Sequence, residues 1–218
     1  MQGILIVDKP TDWTSFDVIA KLRGILGTRK LGHSGTLDPM ATGVLPVFCG
    51  GASKAVDLQL DHTKAYRATL TLGARTDTGD VTGAVLETAP VTAGEKELLE
   101  EIAEAMGQKG TMSALRRVAA GVYTEADAHS LEEIQAAKNA GPEALQALML
   151  PVESVFTSLP LLVAGERVEQ HLYNGCPTSR YPAADGRYRV RNAQGQFLGL
   201  ANITGGVLRV EKLFVERN

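Results

Sequence analysis

The stretch GHSGTLDPMATG, from Gly32 to Gly43, surrounds a single acidic residue, Asp38, with three glycines and a following proline. Its composition and lack of periodicity predict a rigid functional loop rather than a core element. A carboxylate on such a loop can serve as a nucleophile or base. It can equally form an Asx turn that satisfies its own backbone, as many loop aspartates do. The residue types alone leave both interpretations open.

The segments before this loop predict a strand and a capped helix. GILIVDKP is a short apolar run that ends at Pro10, as a strand entering a loop does. TSFDVIAKLRGIL has helical spacing, with Thr14 or Ser15 as N-cap and Gly27 as C-cap. The positions expected to share one helix face are Phe16, Ile19, Leu22 and Ile25 or Leu26.

The segments after the loop alternate between strand and helix patterns. KAYRATLTLGARTDTGD predicts a strand with one apolar face, formed by Tyr66, Ala68, Leu70 and Leu72, and AVLET predicts a strand paired with it. Helices are expected over residues 95–107 and 130–140, the second with a capping box of Ser130 and Glu133. From Leu159 onward, short strands with NG, DG and GG turns predict a small β-rich module.

Composition excludes several protein classes. The 218 residues are 44% hydrophobic and 22% charged, as in ordinary globular proteins, and no apolar run approaches the ~20 residues of a membrane helix. MQGILIVDKP lacks the basic start of a secretory signal, so we expect a cytoplasmic protein. Cys49 and Cys176 are far apart with no metal-binding spacing, which argues against a disulfide framework and a zinc site.

Charge is distributed unevenly along the chain. The net charge is −3 overall, but it is +1 over residues 1–80, −7 over 81–157 and +3 over 158–218. An anionic partner responds to local patches rather than to the total. Composition is therefore compatible with RNA binding at either end.

Three blocks in order, DKPTDWTS, GHSGTLDPMATGVLPVFCGGASK and KAYRATLTLGARTDTGD, resemble the TruB family of tRNA pseudouridine-55 synthases. GQKGTMSALRRVAAGVYT resembles a fourth family segment, and the C-terminal strands resemble its PUA-like RNA-binding module. The resemblance implies an α+β fold with a mixed, largely antiparallel sheet, flanking helices and a small β-rich C-terminal module. It also implies a catalytic domain over residues 1–157, shortened near residues 90–104, and an RNA-binding module over residues 158–218.

The resemblance implies roles for the loop and its neighbours. Asp38 would attack the target uridine, and Tyr66, otherwise a core strand aromatic, would stack on the extruded base near the proton-transfer step. His33, otherwise a turn residue, would fill the space of the flipped nucleotide or contact the loop. Lys9, otherwise a solvated lysine, would approach the loop or the phosphates. Gly35 and Thr36 would contact the substrate as part of the same loop.

The fourth block adds three further residues by resemblance. Leu115 would line the apolar side of the base pocket. Arg116 and Arg117 would face phosphates, the alternative being a pair at a helix end that interacts with the helix dipole.

The implied reaction isomerises uridine to pseudouridine at position 55 in the T-arm loop of tRNA. Nothing is hydrolysed or oxidised, so no cofactor and no metal are expected, and an aspartate with a reference pKa of ~3.9 is ionised at neutral pH. The expected partner is the T-arm stem-loop of tRNA, recognised mostly by its folded shape. We expect a monomer without membrane contact.

The chain departs from the family pattern after the TDTGD strand. A PPMYSALK-like motif, a basic insertion and a GTYIR-like motif, whose arginine pairs with the catalytic aspartate in the family, are absent. Arg67 and Arg75 are substitutes by proximity alone. The deletion is a natural shortened form, an engineered one, or a sequence assembled from ordered parts only. The alternative function is a non-catalytic RNA-binding or tRNA-folding protein, and a poorly folded truncated product is a third possibility.

Overall fold

The computed structural model describes residues 2–92 and 110–215. The larger of its sheets has six strands, in the order β1-β3-β7-β4, with β2 beside β3 and β8 beside β7. These strands are β1 (Gly3–Lys9), β2 (Leu31–His33), β3 (Thr42–Cys49), β4 (Lys64–Leu72), β7 (Gly110–Ala120) and β8 (Tyr123–Thr124). All pairings are antiparallel except β3 with β7, which run parallel. A small hairpin contains β5 (Ala74–Thr76) and β6 (Val85–Thr88).

Within residues 2–92 and 110–215, three helices accompany this sheet, together with 3-10 segments at Gly50–Leu58, Glu125–Asp127 and Val152–Phe156. They are α1 (Ser15–Leu26), α2 (Leu131–Ala140) and α3 (Pro142–Ala147). Of the two predicted N-caps of α1, Thr14 is the one observed, and it forms a capping box with Asp17. The predicted capping box of Ser130 and Glu133 on α2 is confirmed. Gly27 ends α1 in the left-handed conformation (φ 65°) that favours glycine.

Helix α1 packs on the sheet through its apolar face. Val18, Ile19 and Leu22 are buried in one cluster with Leu5 and Leu45. Phe16 was expected on the same face, but its side chain is 66% exposed. It follows Ser15 by one position, and a step of about 100° around the helix turns it away from the buried side.

The C-terminal strands form a separate four-stranded sheet, as the turn pattern predicts. Its order is β12-β11-β10-β9, with β9 (Leu161–Ala164) parallel to β10 (Gly186–Asn192) and the others antiparallel. The remaining elements are α4 (Glu166–Tyr173), β11 (Phe197–Thr204) and β12 (Val207–Leu213). The module has its own buried cluster and also contacts the larger sheet through the rings of Phe156, Phe197 and Phe214. The expected α+β architecture is confirmed.

Strand β4 lies at the edge of the larger sheet and differs from its prediction. The alternating pattern predicts one buried face, but eight of its nine residues are exposed and the ninth is half-buried. Within the described residues it pairs with β7 alone. Alternation therefore predicts the strand correctly but not what packs against it. The helix expected over residues 95–107 lies outside the described residues.

We expect Leu70→Thr to change the free energy of unfolding by no more than about 0.5 kcal/mol, because the side chain is 46% exposed. Leu45→Thr is the matched variant, since Leu45 on β3 is fully buried, and it should cost more than about 2 kcal/mol. Urea unfolding of both variants is the measurement. A loss at Leu70 comparable to that at Leu45 would contradict the exposed position of β4.

No helix in the described ranges is long and apolar enough to cross a membrane. Residues 2–92 and 110–215 contain no group of three metal-ligating side chains close enough to bind an ion. Cys49 is buried, Cys176 is exposed, and both thiols are free.

Candidate active site

Asp38 lies at the tip of the loop between β2 and β3, with its side chain exposed. Its backbone carbonyl accepts a hydrogen bond from the Ala41 amide (3.1 Å), which closes the turn. Leu37, directly before it, is buried in the core cluster. Among the described residues, no side chain forms a hydrogen bond or ion pair with the Asp38 carboxylate. The loop therefore presents this carboxylate outward from an anchored backbone.

Ser15 anchors the loop to the first turn of α1. Its buried hydroxyl donates to the Leu37 carbonyl (3.2 Å) and accepts from the Leu37 amide (2.9 Å). Thr14 is the N-cap, so the hydroxyl of Ser15 is available to the loop. The sequence predicts these two residues only as alternative N-caps of α1. Two cap-type residues in a row, where a helix needs one, is the signal that could have found this contact.

Lys9 anchors the other side of the loop. Its side chain is fully buried at the end of β1, and its Nζ donates to the carbonyls of Pro39 (3.1 Å), Pro10 (2.9 Å) and Trp13. Burial lowers the pKa of the ammonium, while the carboxylates of Asp12, Asp17 and Asp38 act in the opposite direction. The structure places Lys9 at the loop, as one prediction had it. A solvated lysine and a phosphate contact are both wrong, because the Nζ is enclosed by carbonyls.

Arg117 lies beneath the loop and is also fully buried. Its guanidinium donates to the carbonyls of Thr36 (2.8 Å), Gly35 (3.1 Å) and Val44 (3.4 Å). The prediction that Arg117 faces phosphates is wrong, because these contacts leave it no access to solvent. Gly35 and Thr36, predicted to contact substrate, offer their carbonyls to this arginine.

A glycine brings β3 close to β7 beside this arginine. Gly43 has φ 99°, and a Cβ at this position would lie 2.2 Å from the Arg117 carbonyl oxygen. The loop glycine Gly43 is therefore required by the close approach of the two strands as well as by its backbone conformation.

Tyr66 lies on β4 directly opposite Arg117 in the strand register. Its hydroxyl oxygen accepts from Nη2 (3.2 Å) and Nε (3.3 Å) of Arg117, whose guanidinium carbon is 5.5 Å from the ring centroid. The side chain is 44% exposed, so Tyr66 is not a core aromatic. Through Arg117, the structure connects Tyr66 to the loop that carries Asp38.

Arg116 points to the opposite side of β7 from Arg117. It forms a bidentate pair with Asp8 (2.9 and 3.0 Å) and donates to Glu125, and the Asp8 carboxylate raises the pKa of its guanidinium. The structure thus places Arg116 in ion pairs within the protein and not free for a phosphate. The helix-end interpretation of the pair is wrong, since residues 110–120 form a strand.

His33 and Leu115 complete the predicted set. Leu115 is half-buried and packs against the core cluster that contains Leu37. His33 is half-buried on β2, and its Nδ1 atom is buried without a hydrogen-bond partner among the described residues. Burial lowers the pKa of His33, and the charge of Arg117 lowers it further.

This lowered pKa predicts a loss of stability in mild acid. Below the ordinary histidine pKa of 6.5, the unfolded chain binds a proton at His33 that the folded protein does not, so the free energy of unfolding falls as the pH falls through 6.5. We expect His33→Gln to reduce this dependence, measured by urea unfolding from pH 7.5 to 5. The exposed His62 provides the control variant His62→Gln. Parallel curves for wild type and His33→Gln would contradict the prediction.

The site therefore consists of one outward-facing carboxylate, a loop anchored by Lys9, Ser15 and Arg117, and a half-exposed tyrosine bonded to the same arginine. Arg117 connects the loop that carries the exposed carboxylate to the strand that carries the half-exposed aromatic ring. Solved structures with a similar fold are an H/ACA RNP bound to a substrate RNA containing 2′-deoxyuridine and an archaeal box H/ACA sRNP Nop10–Cbf5 complex. Their TM-scores are 0.74 and 0.73 at 21% identity, covering 99% of this chain and 86% and 87% of theirs.

Residues 23–136 match the model of the TruB family pseudouridylate synthase N-terminal domain, a little over half of the chain. The chain belongs to the TruB family of pseudouridylate synthases, which are isomerases of uridine in tRNA. It is 28% identical to tRNA pseudouridine synthase B of Pseudomonas fluorescens, over 94% of this chain and 92% of the relative. It is 53% identical to the protein of the same name from Microcystis aeruginosa, but over only 41% of this chain and 30% of that relative.

The alignment with the Pseudomonas fluorescens relative extends over 282 positions, although this chain has 218 residues. The relative therefore contains residues that this chain lacks. This agrees with the absent internal segment that the motif order indicates.

Proposed function

We propose that this chain converts uridine to pseudouridine at position 55 in the T-arm loop of tRNA, with Asp38 as the nucleophile. The observation that carries the proposal is the outward-facing Asp38 carboxylate on a loop anchored by three buried side chains. Relatives over nearly the whole chain are named tRNA pseudouridine synthase B, which supports tRNA as the substrate.

The chemistry requires little beyond a positioned nucleophile. Asp38 attacks the target uridine, the N1–C1′ glycosidic bond breaks, and the detached base rotates. A C5–C1′ bond then forms, and the bond between Asp38 and the substrate breaks, which regenerates the carboxylate. The proton lost from C5 is balanced by the proton gained at N1, so the reaction consumes nothing. We therefore propose that the chain acts without a metal or another cofactor. We also propose that it acts as a monomer in the cytoplasm.

Tyr66 offers a surface for the extruded base. One side of its environment is occupied by Arg117, while 44% of the side chain is open to solvent. Stacking on an aromatic ring offsets part of the few kcal/mol that unstacking a base costs. Leu115, half-buried next to Arg116 on β7, would provide an apolar contact for the extruded base.

The C-terminal module is proposed to contact the RNA outside the target loop, with the domain boundary near residue 157. Its separate buried cluster supports this division. Arg167, Arg180 and Arg209 are exposed and have no ion pair within the described part of the chain. Phosphate contacts made by such arginines should weaken with salt.

A non-catalytic RNA-binding protein is the second candidate. It is favoured by one observation: no described arginine pairs with Asp38, although such a pair would hold a carboxylate by two charge-assisted hydrogen bonds. In this case the chain would bind tRNA and form no product.

Two T-arm stem-loop RNAs separate the candidates, one with uridine and one with cytidine at position 55. We expect pseudouridine in the first RNA at that position alone, detected by mass spectrometry after nuclease digestion, and equal affinity for both RNAs. Binding of both without any product would favour the second candidate. Product at another uridine would overturn the assignment of position 55.

A further inference from the structure

Arg117 is a buried cation without a carboxylate partner in the described part of the chain. All four of its acceptors are neutral: the carbonyls of Gly35, Thr36 and Val44 and the hydroxyl oxygen of Tyr66. Its neighbour Arg116, in contrast, is bonded to two carboxylates. Burying a charge without a counter-ion costs free energy. A guanidinium buried in this way fixes the relative positions of its hydrogen-bond acceptors, because its planar array of donors binds several of them at once.

The contact with Tyr66 restricts what the tyrosine can do. A phenol oxygen has two acceptor positions and one hydrogen, whereas a guanidinium only donates. Both acceptor positions of Tyr66 are used, by Nε (3.3 Å) and Nη2 (3.2 Å) of Arg117. The hydroxyl hydrogen is therefore directed away from Arg117, and no described residue accepts it.

We propose that Arg117 is a positioning residue that makes Tyr66 a hydrogen-bond donor to a carbonyl oxygen of the target uracil. This inference rests on the proposed function, because it assumes that the extruded base lies at Tyr66. Uracil carries two carbonyl oxygens that can accept such a bond. The same guanidinium binds the carbonyls of Gly35 and Thr36, which lie just before Leu37 and Asp38 in the loop. One side chain therefore fixes the position of Tyr66 relative to the loop that carries the nucleophile.

A double-mutant cycle tests the coupling between the two side chains. Tyr66→Phe keeps the ring and removes the hydroxyl, and Arg117→Lys keeps the charge and removes the planar set of donors. We expect each variant to lower kcat about threefold to tenfold, the value of one hydrogen bond, with RNA affinity unchanged within about twofold. In the Tyr66→Phe background, Arg117→Lys should cost less than it does in the wild type. Independent effects that multiply would overturn the proposal.

Arg29→Lys is the control, since Arg29 is exposed and lies outside the proposed site. We expect its kcat to stay within about twofold of wild type. Thermal unfolding of all variants identifies any that do not fold.

If Arg117→Lys does not fold, modified RNA provides the second test. A 2-thiouridine or 4-thiouridine at the target replaces one carbonyl oxygen by sulfur, a weaker acceptor. We expect the wild type to be slowed by one of the two substitutions and Tyr66→Phe to be insensitive to it. Equal discrimination by both proteins would overturn the donor role.

Failure of the proposed function would be recognised separately, as RNA bound without product. The same cycle measured on the free energy of unfolding then tests whether Arg117 engages the Tyr66 oxygen. Coupled losses support the positioning role, and additive losses overturn it.

Discussion

Asp38→Asn is expected to lower pseudouridine formation by at least about a thousandfold, because an amide cannot replace the attacking carboxylate. Folding should be unaffected. The side chain is exposed and its size is retained, and the turn depends on the Asp38 carbonyl, which stays. Single-turnover product formation on a T-arm stem-loop RNA is the measurement, with RNA affinity recorded on the same samples.

Asp57→Asn is the matched control for this prediction. Asp57 is also exposed, on the 3-10 segment that follows β3, and it has no role in the proposed site. Its activity should equal that of the wild type. Substantial product from Asp38→Asn would show that another group is the nucleophile.

Lys9→Met is expected to have the largest effect on stability, a loss of about 2–4 kcal/mol in the free energy of unfolding. Methionine fills a similar volume, but the carbonyls of Pro10, Trp13 and Pro39 lose their shared donor in a buried site. Since Pro39 follows Asp38, we also expect the variant to lose activity in the fraction that remains folded. Urea unfolding at pH 7 measures the first effect.

Lys54→Met removes an exposed lysine and serves as the comparison. It should change the free energy of unfolding by no more than about 0.5 kcal/mol. Equal and small effects for the two variants would contradict the anchoring role of Lys9.

The sequence predicts the local elements well because their signals are local. The capping residues of α1 and α2 and the loop around Asp38 depend on neighbours within a few positions. Asp38 is identified as the candidate nucleophile from the residues of a single stretch, Gly32 to Gly43, and their resemblance to the family. These features need no knowledge of what packs against them.

The arginine pair shows where this reasoning stops. Adjacent residues on a strand point to opposite faces, so Arg116 and Arg117 cannot share an environment once β7 is recognised as a strand. The sequence does not reveal which of the two is buried, because that depends on the parallel pairing of β3 with β7. The family resemblance implies two phosphate contacts, whereas the structure has Arg116 in an ion-pair network and Arg117 buried, with hydrogen bonds to loop carbonyls and to Tyr66.

Strand β4 illustrates a different limit. Alternation of Tyr66, Ala68 and Leu70 predicts a buried face, yet the described structure leaves these residues exposed. Alternation of apolar residues predicts a strand, but it does not show whether another part of the protein covers the apolar face of that strand.

The most direct test of Asp38 as the nucleophile compares product and RNA binding in one experiment, with wild type beside Asp38→Asn on the same T-arm stem-loop RNA. We expect pseudouridine at position 55 from the wild type, none from the variant, and equal RNA affinity for both. RNA bound by both proteins with pseudouridine from neither would contradict this expectation. The chain would then be a member of the family that recognises RNA without modifying it.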